Sequence, residues 1–369
     1  MDILDILRHI SVVAIIHGLF LAALLFSYRK GNTRANRLLG LFMTAFSVIL
    51  SYTVVYHTPL VFLTFPFLYL LGPLFYFYVK HLTRPGLSMT GRVRAHFIPF
   101  ALALAFMAFA AGGGYYDYIA TKGPFEGPIT IAYWSLILVF IQIQMGVYIY
   151  LTWRLIEEHR RRIEEIFSTV DIINLSWLRH SILSLVIVIT ASLVLTVILP
   201  RLGFPERACD MTASLVISLF IFALGYRGLL QPEIFTSVTD SAATPVKYRR
   251  SSINRDEADR YVTAIERLME EEKLYADPDL TLDDIARKIS VSRHLLSMVL
   301  NETAGTNFYD FINSYRLERV TEYLKDPKKR DQSILEIAFG AGFNSKSTFN
   351  TVFKRKTGMT PTEYRMRHT

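Results

Sequence analysis

A chain of 369 residues has room for two or three domains, and its hydrophobic fraction of 51% with a mean hydropathy of +0.30 argues against a purely soluble protein. The formal net charge of +8 suits either nucleic acid or an anionic membrane surface. The single cysteine, Cys209, excludes an internal disulfide and a cysteine-rich zinc site. Long apolar runs stop near Leu230, so the two halves of the chain require different folds.

Seven stretches of the first half approach the roughly 20 apolar residues that a helix needs to cross the hydrocarbon core. They cover residues 10–27, 38–56, 60–79, 97–111, 129–153, 182–199 and 211–226. The sixth stretch contains no charge, whereas the fourth is interrupted by Pro99 and followed by three glycines. The first stretch lacks a small-residue cleavage site, so we interpret it as a retained span. The pattern predicts a seven-transmembrane-helix bundle.

Lysine and arginine are distributed unevenly between the loops that join these stretches. Fourteen lie on one side, from Arg29 to Arg227, and only Arg8, Lys122, Arg201 and Arg207 lie on the other. Because cytoplasmic loops are enriched in basic residues, the first set is assigned to the cytoplasm and the amino terminus to the outside. Seven crossings then leave the carboxyl terminus in the cytoplasm. The predicted location is the bacterial inner membrane, with multiple spans.

Polar groups within the predicted spans are costly and therefore suggest a function, and four of those present are candidates for contact with a ligand. These candidate ligand-sensing residues are His17, Tyr52, Gln142 and Gln144. The alternative is structural, because glutamine hydrogen-bonds neighbouring helices and interfacial residues serve as anchors.

Two further segments are predicted on the cytoplasmic side, one between the fifth and sixth spans and one after the seventh. Residues 154–180 begin with apolar residues at helical spacing, which predicts a surface-lying or dimerising helix. This loop is also a candidate transmission element, with structural anchoring as the simpler alternative. Within it, His159 and the glutamates before it are expected on a solvated face. Residues 236–252 are rich in Ser, Thr and Ala, which predicts a flexible linker.

After an acidic helix predicted over about residues 256–275, the sequence repeats a pair of short helices. The four helices read LDDIARKI, RHLLSMVLNETAG, ILEIAFGAG and KSTFNTVFKRKTG, and their predicted caps are Thr281, Ser292, Ser333 and Ser345. Gly305 and Gly358 close the second helix of each pair. Short helices joined by tight turns predict two helix-turn-helix units.

Residues 309–324 separate the two units and carry apolar residues close to the spacing of one amphipathic helix. A helix of this length would hold the units rigidly. Their second helices could then enter successive major grooves roughly 34 Å apart. A homodimer is compatible with this geometry but is not required by it.

The final hundred or so residues resemble the AraC/XylS-type DNA-binding domain. The match is closest in the second unit, ILEIAFGAGFNSKSTFNTVFKRKTGMTPTEYR, where the family pattern is present in order at Ile337, Ala338, Gly342, Phe343, Phe349, Phe353, Lys354, Gly358, Pro361, Tyr364 and Arg365. The first unit departs at Leu300, where the family often has phenylalanine, and at Asn301, where lysine is common. The resemblance covers about a third of the chain. The membrane half resembles, less specifically, the multi-helix sensor regions of some members.

The resemblance implies a sequence-specific transcription regulator that needs no cofactor or metal and whose partners are double-stranded DNA and RNA polymerase. Together with helical phase, it predicts that Arg293, His294, Ser297, Met298, Asn301, Lys346, Ser347, Asn350, Thr351 and Lys354 face DNA grooves. Asn350 is expected to pair with adenine, and Lys354 to meet phosphate. The second helix-turn-helix unit is also strongly basic, so we expect it to supply more of the salt-dependent affinity for DNA.

These features predict an all-α protein with a transmembrane sensor and anchor domain over residues 1–235, a linker over 236–252 and a DNA-binding domain over 253–369. The lipid bilayer and an unknown small-molecule or envelope signal are the further expected partners. The alternative function is a membrane receptor or transporter whose cytoplasmic domain mediates protein interaction. A membrane enzyme is a third hypothesis, and the sequence contains no nucleophile motif or phosphate-binding loop that favours it.

Overall fold

The structure is a computed structural model that describes residues 3–28, 32–55, 58–84, 92–112, 128–169, 176–229 and 254–368. Regular secondary structure in these ranges is helical, which confirms the predicted all-α class. The chain divides into two compact units. One contains Met1–Glu157 with Ser176–Thr244, and the other contains Glu158–Leu175 with Pro245–Thr369. The predicted linker over 236–252 lies outside the described residues.

The first unit is built from long apolar helices. Its helices are α1 Ile3–Ser27, α2 Thr33–Leu50, α3 Tyr52–Val55, α4 Leu68–Thr83, α5 Arg92–Ala95, α6 Ile98–Gly112, α7 Pro128–Glu164, α8 Ser176–Leu193, α9 Leu199–Arg201 and α10 Glu206–Leu229. Helix α7 continues past Glu157, so its last two turns belong to the second unit. Short 3-10 turns at Pro59–Leu63 and Phe65–Phe67 precede α4, and a π turn at Val194–Ile198 follows α8.

Six helical segments among the described residues are long and apolar enough to cross a membrane. They are His9–Ser27, Thr33–Val55, Leu60–Thr83, Val139–Glu164, Trp177–Arg201 and Ala208–Arg227. The segment predicted as the fourth span is a shorter apolar helix, Val93–Phe109. Pro99 does not break it, because α6 begins at Ile98 and proline is tolerated in the first turn of a helix.

The interior of the first unit is filled by aromatic and aliphatic side chains. Helix α1 packs against α2 and α10, and α2 packs against α4. Phe42 and Met43 of α2 are fully buried there. Gly72 lets α4 approach α7 closely, because a Cβ at this position would lie 2.6 Å from the ring of Tyr148. Small residues at such crossings are typical of helices that associate in a bilayer.

The outer faces of the same helices are apolar as well. Phe109 is 81% exposed, and Leu102 and Val13 are each about two-thirds exposed. Further exposed large hydrophobic residues on α1, α7, α8 and α10 are Ile16, Phe20, Ile143, Leu183, Ile187 and Leu219. A water-soluble protein rarely exposes large apolar side chains along so many of its helices. The first unit therefore has the surface expected of a protein that is surrounded by lipid.

The second unit contains shorter helices. Those after residue 254 are α11 Arg255–Glu271, α12 Leu282–Lys288, α13 Arg293–Glu302, α14 Phe308–Lys325, α15 Ile334–Gly340, α16 Lys346–Thr357 and α17 Pro361–His368, with 3-10 turns at Leu274–Ala276 and Pro327–Lys329. The predicted acidic helix ends at Glu271 rather than Tyr275, because Lys273 adopts a left-handed conformation with φ 52°. Two helix-turn-helix pairs, α12 with α13 and α15 with α16, lie on either side of α14 in the chain.

The second unit has two hydrophobic cores that share helix α14. Phe308, Phe311 and Ile312 of α14 join the core of the first pair, whereas Leu317 and Val320 join that of the second. At about 100° per residue these two sets lie on different faces of the helix. The prediction of one amphipathic face for α14 was therefore incomplete, because the helix is buried on two sides.

The turn between α15 and α16 depends on Gly342. This residue has φ +101°, a conformation that side chains rarely adopt. A Cβ there would also clash with the carbonyl oxygen of Tyr275 and lie 2.8 Å from Nε of Arg316. The second helix-turn-helix pair thus needs glycine here both for backbone conformation and for close packing.

We expect Gly342→Ala to lower the free energy of unfolding of the second unit by at least about 2 kcal/mol, because backbone strain adds to steric overlap. Gly340→Ala is the matched control, since no atom lies within 4 Å of the place that its Cβ would occupy and the residue is helical. This change should be neutral or stabilise by about 0.5–1 kcal/mol. Hydrogen exchange of the α15 and α16 amides in full-length protein measures both, and equal protection in the two variants would contradict the prediction.

Candidate nucleic-acid interface

The first helix-turn-helix pair begins with a capping box. The Thr281 hydroxyl accepts a hydrogen bond from the Asp284 backbone N–H, and the Asp284 carboxylate accepts one from the Thr281 N–H at 2.9 Å. Burial raises the pKa of Asp284, but hydrogen bonds from Thr281 and Arg287 outweigh it and hold that pKa below its usual value. The carboxylate therefore stays ionised and fixes the start of α12.

Helix α13 is the second helix of this pair and carries five predicted groove-facing residues. Ser292 caps it, as predicted, by accepting a hydrogen bond from the Leu295 N–H. His294 and Asn301 are exposed, whereas Arg293, Ser297 and Met298 are partly buried. Arg293 forms an ion pair with Asp283 of α12 at 3.2 Å. It must leave this carboxylate, or share it, in order to reach a phosphate.

The second pair has the same local design. Ser333 and Glu336 form a capping box at the start of α15, and Ser345 caps α16 through the Thr348 N–H. Gly358 ends α16 in the left-handed conformation, at φ 75°. The four caps and this closing glycine confirm the helix boundaries predicted from the sequence. Helix α13 ends at Glu302, with Thr303 as its C-cap, so it stops before Gly305, which was predicted to close it.

All five predicted groove-facing residues of α16 are exposed, namely Lys346, Ser347, Asn350, Thr351 and Lys354. The opposite face of the helix holds Phe349, Val352 and Phe353 in the core. Asn350, Thr351 and Lys354 line a shallow depression together with Arg355, which was not among the predicted residues. Helix α16 therefore presents one polar, basic face to solvent.

Charged side chains tie helix α14 to the second pair and to the segment that precedes the first pair. Arg355 of α16 forms an ion pair with Asp310 in the first turn of α14. Arg316 of α14 is only 1% exposed and donates hydrogen bonds to the carbonyl oxygens of Tyr275 and Asp277, at 2.7 Å each. Burial lowers the pKa of Arg316 to about 10, which still leaves it charged at neutral pH. These contacts hold α14 to the segment that precedes the first pair.

The four candidate ligand-sensing residues contact different partners within the first unit. Tyr52 Oη lies 3.0 Å from Ser214 Oγ and donates to the carbonyl oxygen of Asp210 at 3.1 Å. The ring of His17 lies 4.9 Å from that of Phe222. The Gln144 amide donates to the carbonyl oxygen of Tyr69 at 3.2 Å, which is the helix-to-helix bond expected of a structural glutamine. Gln142 is partly buried.

Two features of the second unit were not predicted. His159 is 7% exposed, so its expected position on a solvated face was wrong. Residues 158–169 belong to the unit that contains the helix-turn-helix pairs, whereas the sequence boundaries assigned them to the membrane domain. The available signal was the spacing of Ile163, Ile166 and Phe167, which indicated an apolar face but not its partner. No group of three or more His, Cys, Asp or Glu side chains suited to a metal ion lies in the ranges described above.

The fold and the exposed basic helix define the second unit as a tandem helix-turn-helix DNA-binding domain. Residues 285–367 match the family model described as "Helix-turn-helix domain". The "Probable transcription factor PqrA" of Proteus vulgaris is 30% identical over 95 residues, which are 26% of this chain and 75% of that protein. The chain belongs to the AraC-type helix-turn-helix transcription regulators.

Two further relatives are matched over part of their length. The melibiose operon regulatory protein of Escherichia coli (strain K12) is 32% identical over 89 residues, 24% of this chain and 28% of that protein. An uncharacterized helix-turn-helix-type transcriptional regulator of Staphylococcus aureus (strain COL) is 30% identical over 116 residues, 31% of this chain and 14% of that protein. The chain therefore spans less than a third of the length of these two relatives, and the comparisons concern the DNA-binding domain alone.

Replacing Lys354 by alanine should weaken binding of full-length protein to duplex DNA and flatten its dependence on salt. Loss of one phosphate contact should reduce the slope of log K against log salt by about 0.9. Titrations of protein in lipid nanodiscs at several salt concentrations measure this slope. Lys288→Ala is the control, because it removes the same charge from α12, where Lys288 already pairs with Glu272 at 2.6 Å. Equal slopes for the two variants would rule out a phosphate contact at Lys354.

Proposed function

We propose that this protein is a membrane-tethered, sequence-specific transcription regulator whose membrane half senses a signal. One observation carries the proposal: a unit with apolar outer faces and a unit with an exposed basic recognition helix occur in the same chain. The first surface suits lipid and the second suits DNA. The sequence-derived domains are part of this proposal: a membrane domain over 1–235, of which residues 158–169 join the DNA-binding unit, a tether over 236–252 and a DNA-binding domain over 253–369.

Seven crossings with the amino terminus outside are supported by the loop charges and by the lengths of the helices. Six segments meet the length of a span, and the seventh, Val93–Phe109, has 17 residues. This is the lower end of the range of about 17–25 residues that can span a bilayer. Local thinning of the bilayer accommodates a short span at a modest cost. An odd number of crossings puts the DNA-binding domain on the side where the chromosome lies.

We call α13 and α16, the second helix of each pair, the recognition helices. Their different charges suggest that they contribute differently to DNA binding. Helix α16 offers exposed lysines for phosphate and Asn350 for a base edge, which together give affinity and sequence choice. Helix α13 carries fewer exposed charges and belongs to a pair with no net charge, since three basic and three acidic residues lie between Thr281 and Gly305. We assign to it register and additional sequence choice. RNA polymerase and a second copy of the chain are proposed partners at the promoter.

Asn350→Ala should relax the base preference at one position of the binding site, because asparagine pairs with two atoms of adenine in the major groove. The affinity for the preferred duplex should fall by about 1–3 kcal/mol with the salt slope unchanged. Asn344→Ala, at an exposed position in the turn before α16, is the matched control. Binding of full-length protein to a library of single-base variants measures both. Unchanged preference at every position in the Asn350 variant would contradict the assignment.

Site-specific labelling of intact cells tests the number of crossings. In a Cys209→Ser background, a membrane-impermeant maleimide should label Ala120→Cys from outside and should label Ala243→Cys only after permeabilisation. Cys209 is buried and is the single cysteine of the chain. Its replacement by serine, which is similar in size, therefore leaves the introduced cysteine as the one thiol in each variant. If the short fourth helix did not cross, the two positions would exchange sides, and the proposed regulator could not reach DNA.

A further inference from the structure

Residues 158–169, here called the strap, lie within the second unit although they are distant in sequence from its other residues. The strap begins in the last turns of α7 and continues as non-helical chain after Glu164. Ile163 is 2% exposed and belongs to the core of the second helix-turn-helix pair, and Phe167 packs against that core. The strap is therefore built into the hydrophobic interior of this pair.

The strap also binds the first helix-turn-helix pair through its backbone. Phe167 and Thr281 form an antiparallel bridge. The N–H of Leu282 donates to the carbonyl oxygen of Ile166 at 2.9 Å, and Ser168 N–H donates to that of Leu280 at 3.2 Å. Leu282 is the first residue of α12, where the backbone N–H has no partner within the helix. The strap thus completes the start of α12.

Arg316 fixes the strap between the two pairs. Its guanidinium donates to the Ser168 carbonyl oxygen at 3.0 Å, to Ser168 Oγ at 3.1 Å and to Thr169 Oγ1 at 3.1 Å. The Asn313 amide adds a bond to the Ser168 carbonyl oxygen at 3.4 Å. A buried guanidinium must place its donors on acceptors, and the strap supplies three of them. Removing the strap would leave this charge poorly compensated.

We propose that the strap is a docked ligand of the DNA-binding unit, and that its seating sets the relative position of α13 and α16 and thereby the affinity for DNA. The inference rests on the proposed function, in which the strap is the loop between the fifth and sixth spans. The docking surface combines the start of α12, Asn313 and Arg316 of α14, and the core of the second pair. The occupant is the chain's own segment 158–169.

The physical basis is preorganisation. A docked strap joins the two pairs, so both recognition helices bind as one rigid body and little ordering is needed on DNA. An undocked strap frees the pairs to move, which lowers the effective concentration of the second recognition helix after the first has bound. The strap contacts described above involve none of the ten predicted groove-facing residues, so docking does not compete with DNA. Docking therefore raises affinity.

A reversible lock tests this in full-length protein in lipid nanodiscs. The probe is a duplex selected from a random-sequence library by the wild-type protein. In a Cys209→Ser background, Ile163→Ser should release the strap and weaken binding at least about tenfold, because the two pairs no longer act together. Adding Phe167→Cys with Thr281→Cys places a disulfide across the antiparallel bridge, where paired residues lie at a compatible distance. Oxidation should restore affinity, and reduction should remove it again.

Spacing on the DNA distinguishes loss of rigidity from loss of fold. The two half-sites are the DNA segments bound by α13 and by α16. Insertion of about five base pairs between them, half a helical turn, turns their major grooves to opposite faces of the duplex. The oxidised protein should lose nearly all affinity for this duplex, whereas the reduced Ile163→Ser variant should discriminate less between the two spacings. Ser168→Ala, which removes only the hydroxyl bonds to Leu280 and Arg316, should show a smaller change in the same direction. Arg161→Gln is the surface control, because Arg161 is exposed in the part of α7 that carries Ile163.

The outcomes separate this inference from the proposed function. Equal affinity in the oxidised and reduced states, or stronger binding after release, would overturn the role of the strap while leaving a DNA-binding regulator in place. Failure of the wild-type protein to enrich any duplex would instead refute the proposed function. Restoration by oxidation, with the dependence on spacing described above, supports both.

Discussion

The second unit is organised around one buried guanidinium. An ionised side chain removed from water is costly unless acceptors surround it, and Arg316 has carbonyl oxygens from Tyr275, Asp277 and Ser168 within hydrogen-bond distance. This requirement brings together a loop before the first helix-turn-helix pair, the linking helix α14 and a segment 148 residues away in sequence. It also explains the need for glycine at position 342, because any side chain there would occupy the space of the guanidinium and of the Tyr275 carbonyl group.

This arrangement makes the DNA-binding unit a product of two separate pieces of chain. Helix α7 is continuous from Pro128 to Glu164, so the strap begins in the helix that contains the fifth predicted span. A helix resists bending and twisting over several turns because each backbone hydrogen bond restrains the next turn. Ile163 is therefore continuous, through one unbroken helix, with the fifth predicted span.

Much of the local structure could be predicted from the sequence, because it is set by neighbours within four residues. Serine and threonine caps, the closing Gly358 and the two short helix pairs follow from such contacts. The contacts that organise the site could not be predicted in this way. Nothing in the sequence distinguishes Arg316 from a solvent-exposed helical arginine, because its partners Ser168 and Tyr275 are distant in sequence. The apolar residues of the strap predict that it is buried, but they do not identify the surface against which it packs. The face of α16 was more accessible to prediction, since the same helix must bury Phe349 and Phe353 and so must expose the residues between them.

The contrast between the two recognition helices follows from where their cations lie. Arg293 is partly buried against Asp283, so contact with a phosphate requires the loss or sharing of an existing ion pair. Lys346 and Lys354 are exposed in the first and last turns of α16. A surface ion pair contributes little stability, which makes the exchange at Arg293 inexpensive but still unfavourable unless the DNA is correctly placed. On the proposed function, binding by the first pair thus depends on the position that the second pair sets, and the proposed role of the strap is to fix the distance between the two pairs.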